Sequence, residues 1–407
     1  MNAPAGSADR QAPGGPLSGI RVLDLGFVYA APIAAMLLGD YGADVIKIES
    51  PAGDPARTHG WTKDGHGLWW KVIGRNKRTA TLDLRTPAGQ DVLRRFVARA
   101  DVLVENFRPG VLESWGLGPE RLHEINPGLV MLRVSGFGQT GPYAERRAFG
   151  TLAEAMSGFA HQTGPADGPP TLPPFGLADG VAGVAGALAV ALALYHRQRT
   201  GRGQVVDVSL LEPLLGILGP AVSVFDQLGV VPSRNGNRSP NNAPRNLYET
   251  RDGRWVAVSA SATSIARRVM RLVGHEEVTR EPWFDKAGER AARADLLDAV
   301  VADWIRERDM ADVLTAFTDA EAAIVPIYDV SELVADKHVQ ERETVTRVPD
   351  EDLGPLLMQN VMFRLSETPG GIRSTGRRLG QDNDDVYSGL LGMSADEIER
   401  LRLEGVI

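Results

Sequence analysis

The sequence predicts an α/β protein with a large unit on a mostly parallel sheet and a second, smaller α+β unit. Three observations lead there. Strand and helix signals alternate through the first 140 residues, the order expected of βαβ units. From Gly229 a polar run, VVPSRNGNRSPNNAPRN, breaks that alternation in the way linkers do. Beyond it a hairpin is followed by three helical segments. The length of 407 residues also fits two domains of roughly 100–200 residues each.

In order, IRVLDLG (Ile20–Gly26) is apolar enough for a buried strand, and Ala30 to Leu38 reads as a helix. ADVIKIES (Ala43–Ser50) is a strand again, and TATLDL (Thr79–Leu84) has the period-two pattern of a half-buried one. Ala88 to Ala100 is an amphipathic helix, DVLVENF a strand, Arg121 to Ile125 a short helix and LVMLRVSG a further strand. Ligands of such sheets bind at the carboxyl ends of the strands. After the first strand the chain reads GFVYAAPIAAMLLGDYGAD, without the G-x-G-x-x-G turn, so a dinucleotide is not implied.

Val181 to Tyr195 is the most apolar run. It is shorter than the roughly 20 residues of a membrane span. It reads as a closely packed, buried core helix, with a transmembrane helix as the alternative. A Gly turn, a strand (Val205–Ser209) and another helix follow. In the small unit, YET and WVAVSA flank a turn at Arg251-Asp252-Gly253. Helices are expected at Ala262–Leu272, Arg290–Glu307 and Met310–Asp319, then a strand at Ile324–Val330 and a helix start at Ser331–Asp336. Near the C-terminus Ser394 caps a helix, with Glu397 three residues on.

The net charge of -8 argues against nucleic acid as the main ligand, while leaving room for a local basic pocket. The absence of cysteine excludes disulfides, thiolate nucleophiles, Cys-bound zinc and iron–sulfur clusters. It is compatible with the cytoplasm, the expected location. Residues 1–16 are rich in Ala, Gly and Pro and lack an apolar h-region, so they read as a disordered lead rather than a signal peptide.

One carboxylate stands out. In PPFGLADGVAG (Pro173–Gly183), Asp179 lies between a Pro/Gly-rich approach and a helix of small residues. The simplest reading is an N-cap, where a carboxylate accepts an orphan N–H at the positive end of the helix dipole. The other reading is a nucleophile, because the chain offers no other obvious one.

Several motifs occur in a fixed order: LSGIRVLDLG at 17–26, GADVIKIESPAGDPAR at 42–57, NKRTATLDL at 76–84, ADVLVENFRPGVLESWGLG at 100–118, FGTLAEAMSGF at 149–159, LADGVAGVAGAL at 177–188 and TGRGQVVDVSLLE at 200–212. This resembles the class III CoA-transferase (CaiB/BaiF) family, which holds formyl-CoA transferase, carnitine CoA-transferases and 2-methylacyl-CoA racemases. The resemblance implies a Rossmann-like large domain over 17–228, completed by about 340–407, and a small domain over 229–330. It implies interlocked homodimers, with a paralogous second subunit as the alternative. The expected substrates are an acyl-CoA and a small carboxylic acid, with no metal and no permanently bound cofactor.

By the same resemblance Asp179 is the nucleophile of a covalent exchange, with backbone amides near Gly180 stabilising developing charge. Val28, Ala30, Asn106 and Phe107 then lie along the CoA channel. Asn76, Lys77 and Arg78 form a loop suited to CoA phosphates, and Arg57 and Arg108 are further basic candidates. Against each basic residue stands the ordinary reading of a solvated surface charge, and against Val28 that of plain core.

Two positions depart from the family. Tyr29 stands where formyl-CoA transferase has a glutamine, so that residue's role does not carry over. Ala148-Phe149-Gly150 stands where racemases have Gly-His-Asp, and neither Phe149 nor Gly150 can move a proton. His161, the nearest histidine in sequence, reads as structural. Arg146 and Arg147 suit a substrate carboxylate, with surface or CoA-phosphate contacts as the alternative. AFGTLAEAMSGF followed by PPTLPPFGLADG resembles members that use succinyl-CoA and short dicarboxylates. Asn235–Arg245 reads equally as an active-site lid or a linker. The competing functions are an acyl-CoA racemase and a non-catalytic CoA-binding subunit.

Overall fold

A computed structural model describes residues 14–407. The expected N-terminal lead falls mostly outside the described residues; 14–16 enter a turn. The chain divides into two compact units, one of residues 14–159, 172–219 and 341–407, the other of 160–171 and 220–340. The smaller unit thus begins before the expected boundary at 229 and takes in 160–171, a stretch expected in the large domain.

The larger unit is built on six parallel strands: β1 (Arg21–Asp24), β2 (Asp44–Glu49), β3 (Lys77–Thr81), β4 (Val102–Glu105), β5 (Val130–Ser135) and β6 (Val205–Ser209). Their spatial order is β3-β2-β1-β4-β5-β6. This is the doubly wound order, in which connections leave β1 in opposite directions and open a crevice beyond the ends of β1 and β4. Alternation along the strands feeds two cores, as both faces of a parallel sheet must be covered. Leu23, Ile46 and Leu103 face α3 (Pro87–Val97) and the C-terminal helix Ala395–Leu403. Val22, Val45 and Val102 face α1 (Ala30–Asp40) and α5 (Leu177–Thr200).

Helix α1 is buried along its whole length, with the short α2 (Leu68–Ile73) packed on it through Trp70 and Ile73. Helix α5 reaches α1 because Gly183 has no side chain: a Cβ there would lie 2.6 Å from Ile33 Cγ2. The expectation of a fully buried α5 is corrected. One face is buried, but Val184, Leu188, Leu192 and Tyr195 are exposed, because only one side of the helix meets the sheet and α1.

β3 begins two residues before the predicted strand, because Lys77 and Arg78 pair with Val45 and Ile46 of β2. Its outer edge is covered by the C-terminal segment: Asp382 Oδ2 accepts from Thr79 N–H (2.8 Å) and Asn383 Oδ1 from Thr81 N–H (2.9 Å). Ser394 accepts from the Glu397 amide, as a cap. The hairpin Val345–Val348 with Leu356–Gln359 was not anticipated.

In the smaller unit the expected hairpin forms between Arg245–Glu249 and Trp255–Ser259 and is joined by Ile324–Pro326 into one antiparallel sheet. Helices Thr263–Leu272, Ala294–Arg306 and Met310–Asp319 supply its core. The helix expected over Arg290–Glu307 is interrupted: Arg290 belongs to a separate short helix, Ala287–Ala291, where its guanidinium is buried on the carbonyls of Ala243 (3.0 Å) and Phe284 (2.6 Å), and the longer helix starts at Ala294.

Candidate active site

The crevice between β1 and β4 is a cavity of about 430 Å³. The loop after β1 supplies Val28, Tyr29 and Ala30 to its lining, and the loop after β4 supplies Asn106, Phe107 and Arg108. Arg146, Arg147 and Phe149 line it from the segment before α4 (Gly150–Met156), and Asp179 from α5.

The β1 loop takes an unusual shape. Val28 has φ +65°, a region that β-branched residues rarely occupy. Its neighbours hold it there. Val28 N–H donates to Asp54 Oδ1 (3.1 Å), and Trp69 Nε1 donates to Val28 O (3.2 Å). Asn106 clasps Phe27 on both sides, Oδ1 accepting from its N–H and Nδ2 donating to its carbonyl, each 2.9 Å. Val28 is therefore neither plain core nor simply a channel wall, and the Asn106 side chain is committed to the loop as well as lining the cavity. The loop turns Tyr29 into the cavity, stacked on Trp69 (centroids 4.5 Å) and edge-on to His59 (5.4 Å).

Asp179 is not an N-cap. Gly176 caps α5 without a side-chain bond, and Asp179 is the third helical residue. Its carboxylate lies against Gly150, where a Cβ would sit 2.1 Å from Oδ2, so no larger residue fits without moving the acid. Burial, and then the charge of Glu154, push the Asp179 carboxyl up to about 6, against opposing hydrogen bonds from the Gly150 and Asp179 amides. Glu154 itself is only 2% exposed, and its Oε1 accepts from Ala178 N–H (3.1 Å). Burial and the neighbouring Asp179 also raise the Tyr29 phenol, which keeps it a neutral donor.

Other expected residues are not brought here. Gly180 N–H is spent on Gly176 O (2.9 Å) inside the helix, so it is not free to meet an oxyanion. Asn76 (φ +60°) precedes β3 and donates to Asp40 Oδ1 (2.8 Å) and Gly371 O (2.9 Å). Lys77 is buried on Asp24 (2.7 Å), and Arg78 is paired with Asp44 and Asp385 (both 2.8 Å). These are internal neutralising pairs in a strand rather than a phosphate-binding loop. Arg57 likewise grips Glu49 through two bonds of 2.7 Å and lies over Trp70. His161 is not part of the cavity lining.

Sequence reasoning missed Glu154, Gly150's contact with the acid, and Trp69. It also missed a second cavity, sharing Phe27 and Phe107 with the first and reaching Trp115 and Arg85. Only Glu154 had a visible signal: an acidic residue inside the apolar segment of FGTLAEAMSGF.

The family model described as CoA-transferase family III matches residues 17–383. Among curated proteins the chain is similar to a succinyl-CoA–D-citramalate CoA-transferase of Chloroflexus aurantiacus, 43% identical over 98% of this chain and 99% of the relative. It is also similar to the beta subunit of a succinyl-CoA–L-malate CoA-transferase of that organism, 41% identical over 96% and 98% of the two chains. Among solved structures, a CaiB/BaiF family protein from Brucella suis superposes with a TM-score of 0.81 at 30% identity, covering 93% of this chain and 100% of that one.

Proposed function

The chain belongs to the class III CoA-transferase family, and from that premise we propose that it moves CoA from succinyl-CoA to a short dicarboxylic acid, with Asp179 as nucleophile. One observation carries the reading. Asp179 is a carboxylate without a cationic partner among the described residues, in a cavity also lined by Arg108, Arg146 and Arg147. Those three arginines are equally without carboxylate partners among the described residues, although Arg146 rests on the Tyr143 ring. Guanidinium groups left free in this way suit the far carboxylate of a diacid. The names of the citramalate and malate enzymes point to the same substrate class.

The exchange runs in balanced steps. An Asp179 carboxylate oxygen attacks the thioester carbonyl; a C–O bond forms, the C–S bond breaks, and CoA leaves as thiolate. The thiolate attacks Asp179 Cγ; a C–S bond forms, the anhydride C–O bond breaks, and succinate leaves. The acceptor carboxylate then runs both steps in reverse. The neutral Tyr29 hydroxyl replaces the Gly180 amide as the nearby donor for developing oxyanion charge. CoA follows the second cavity, with Phe27 and Phe107 at the junction; Arg85 at its far end is already held by Asp83 (2.8 and 2.9 Å). Racemisation lacks its acid and base at Phe149 and Gly150. The assembly is a homodimer, with a paralogous partner as the alternative because one relative is named as a beta subunit.

The test is intact-mass analysis of wild type and Asp179→Ala after incubation with succinyl-CoA, with hydroxylamine trapping alongside. A CoA-sized adduct mapping to Asp179 and missing from the variant is expected. CoA binding without an adduct across a panel of acyl-CoAs would sink the transferase mechanism.

A further inference from the structure

Glu154 has no part in the exchange just written, yet it is a buried acid on α4 with no cationic partner among the described residues. Burying an unpaired charge is costly, and such groups are rarely kept without a reason. Its one side-chain bond is to Ala178 N–H, one of the orphan amides at the start of α5 and next in sequence to Asp179.

We infer that Glu154 is a positioning residue for the nucleophile, fixing the first turn of α5 through Ala178 and holding a like charge beside the Asp179 carboxylate. The inference rests on the assignment of Asp179 as nucleophile. Its physical content is that attack removes the repulsion. When the new C–O bond forms, the negative charge that began on Asp179 leaves with the CoA sulfur, and Glu154 is then the only carboxylate of the pair. The enzyme thus destabilises the anion that reacts rather than the anhydride it forms. The rise of the Asp179 carboxyl agrees with this.

The groups facing the pair are few. Tyr29 approaches Asp179 from the loop before α1. Arg108, Arg146 and Arg147 share its cavity. Glu212, on the helix Leu211–Ile217 that packs against α4, accepts from Ser209 Oγ (2.6 Å).

Glu154→Gln retains an oxygen that accepts from Ala178 and removes the charge. The measurement is an NMR titration of protein labelled at aspartate ¹³Cγ, with the Asp179 signal identified by its loss in Asp179→Asn. The rate of CoA-adduct formation is measured in parallel at pH 8. In Glu154→Gln the Asp179 midpoint is expected to fall toward the ordinary carboxylate range and adduct formation to slow several-fold. Glu154→Asp, which keeps the charge, is expected to hold the midpoint high. An unmoved midpoint in Glu154→Gln overturns the inference, as does a wild-type midpoint already in the ordinary range. A midpoint that moves while wild type forms no adduct upholds the charge pairing and overturns the transferase mechanism instead.

Discussion

At Asp179 the helix start that would favour a carboxylate is outweighed by burial and by Glu154. The sign of the consequence follows. Between the ordinary value of 3.8 and the folded value of about 6, the folded protein binds a proton that the unfolded chain does not. Stability is therefore gained as pH falls through that window and lost as pH rises through it. Asp179→Asn is expected to be more stable than wild type above pH 6, by about 1–3 kcal/mol, and to lose that advantage toward pH 4. Thermal melts of both proteins across this range check it; equal melting at pH 8 would contradict the buried charge. The prominence of Asp179 was legible from its place between a Pro/Gly approach and a small-residue helix. Glu154 showed itself only as an acid within an apolar segment, and its role was not legible, since a glutamate in AEAM reads as the solvent side of a helix until α5 packs over it.

Among the elements, the loop after β1 shows how one acid holds a strained turn. Asp54 accepts from Val28 and Ala56 amides and pairs with buried Lys47 at 3.0 Å. Lys47 also donates to Gly26 O, at the end of β1. Asp54→Ala removes the ion-pair partner of that buried ammonium and leaves it only the neighbouring charges of Asp24 and Glu49, a change that costs up to about 3–5 kcal/mol, and frees Val28 to leave positive φ. Denaturant unfolding is expected to register the loss, with weakened CoA binding beside it; unchanged stability would mean that the loop is held by Trp69 and Asn106 alone. The parallel sheet was foreseeable from alternating apolar runs and the two loops from the family resemblance, but the strand order was not, because alternation does not say which strands are neighbours. The fate of Asn76, Lys77 and Arg78 was not foreseeable either, because a polar, basic run looks the same in sequence whether it meets phosphate or the buried carboxylates of Asp40 and Asp24 and the part-buried one of Asp44.

Over the whole molecule, the single chain leaves apolar faces exposed. On α5, Val184, Leu188, Leu192 and Tyr195 recur at helical spacing and form an exposed stripe. On Ala221–Leu228, in the other unit, no residue is buried and Val222, Phe225 and Leu228 are exposed. Contiguous apolar surface of this kind marks an interface. The proposed homodimer predicts that the double change Leu188→Glu, Leu192→Glu lowers the mass found by light scattering from two chains to one. A wild-type protein that is already monomeric would sink the homodimer; recovery of the dimer in the variant would move the interface elsewhere.

Sequence alone determined the α/β class, the parallel sheet, the second unit and the prominence of one acid. Each of these follows from local periodicity, turn chemistry and the order of motifs, which survive without tertiary contacts. Only the tertiary structure decided which charges are spent and which remain free. It neutralised Lys77, Arg78 and Arg57 inside the fold, left Arg108, Arg146 and Arg147 in the cavity without ion-pair partners among the described residues, and set Glu154 behind Asp179. A charge acquires its role from its partners and its burial, and those come from residues tens to hundreds of positions away.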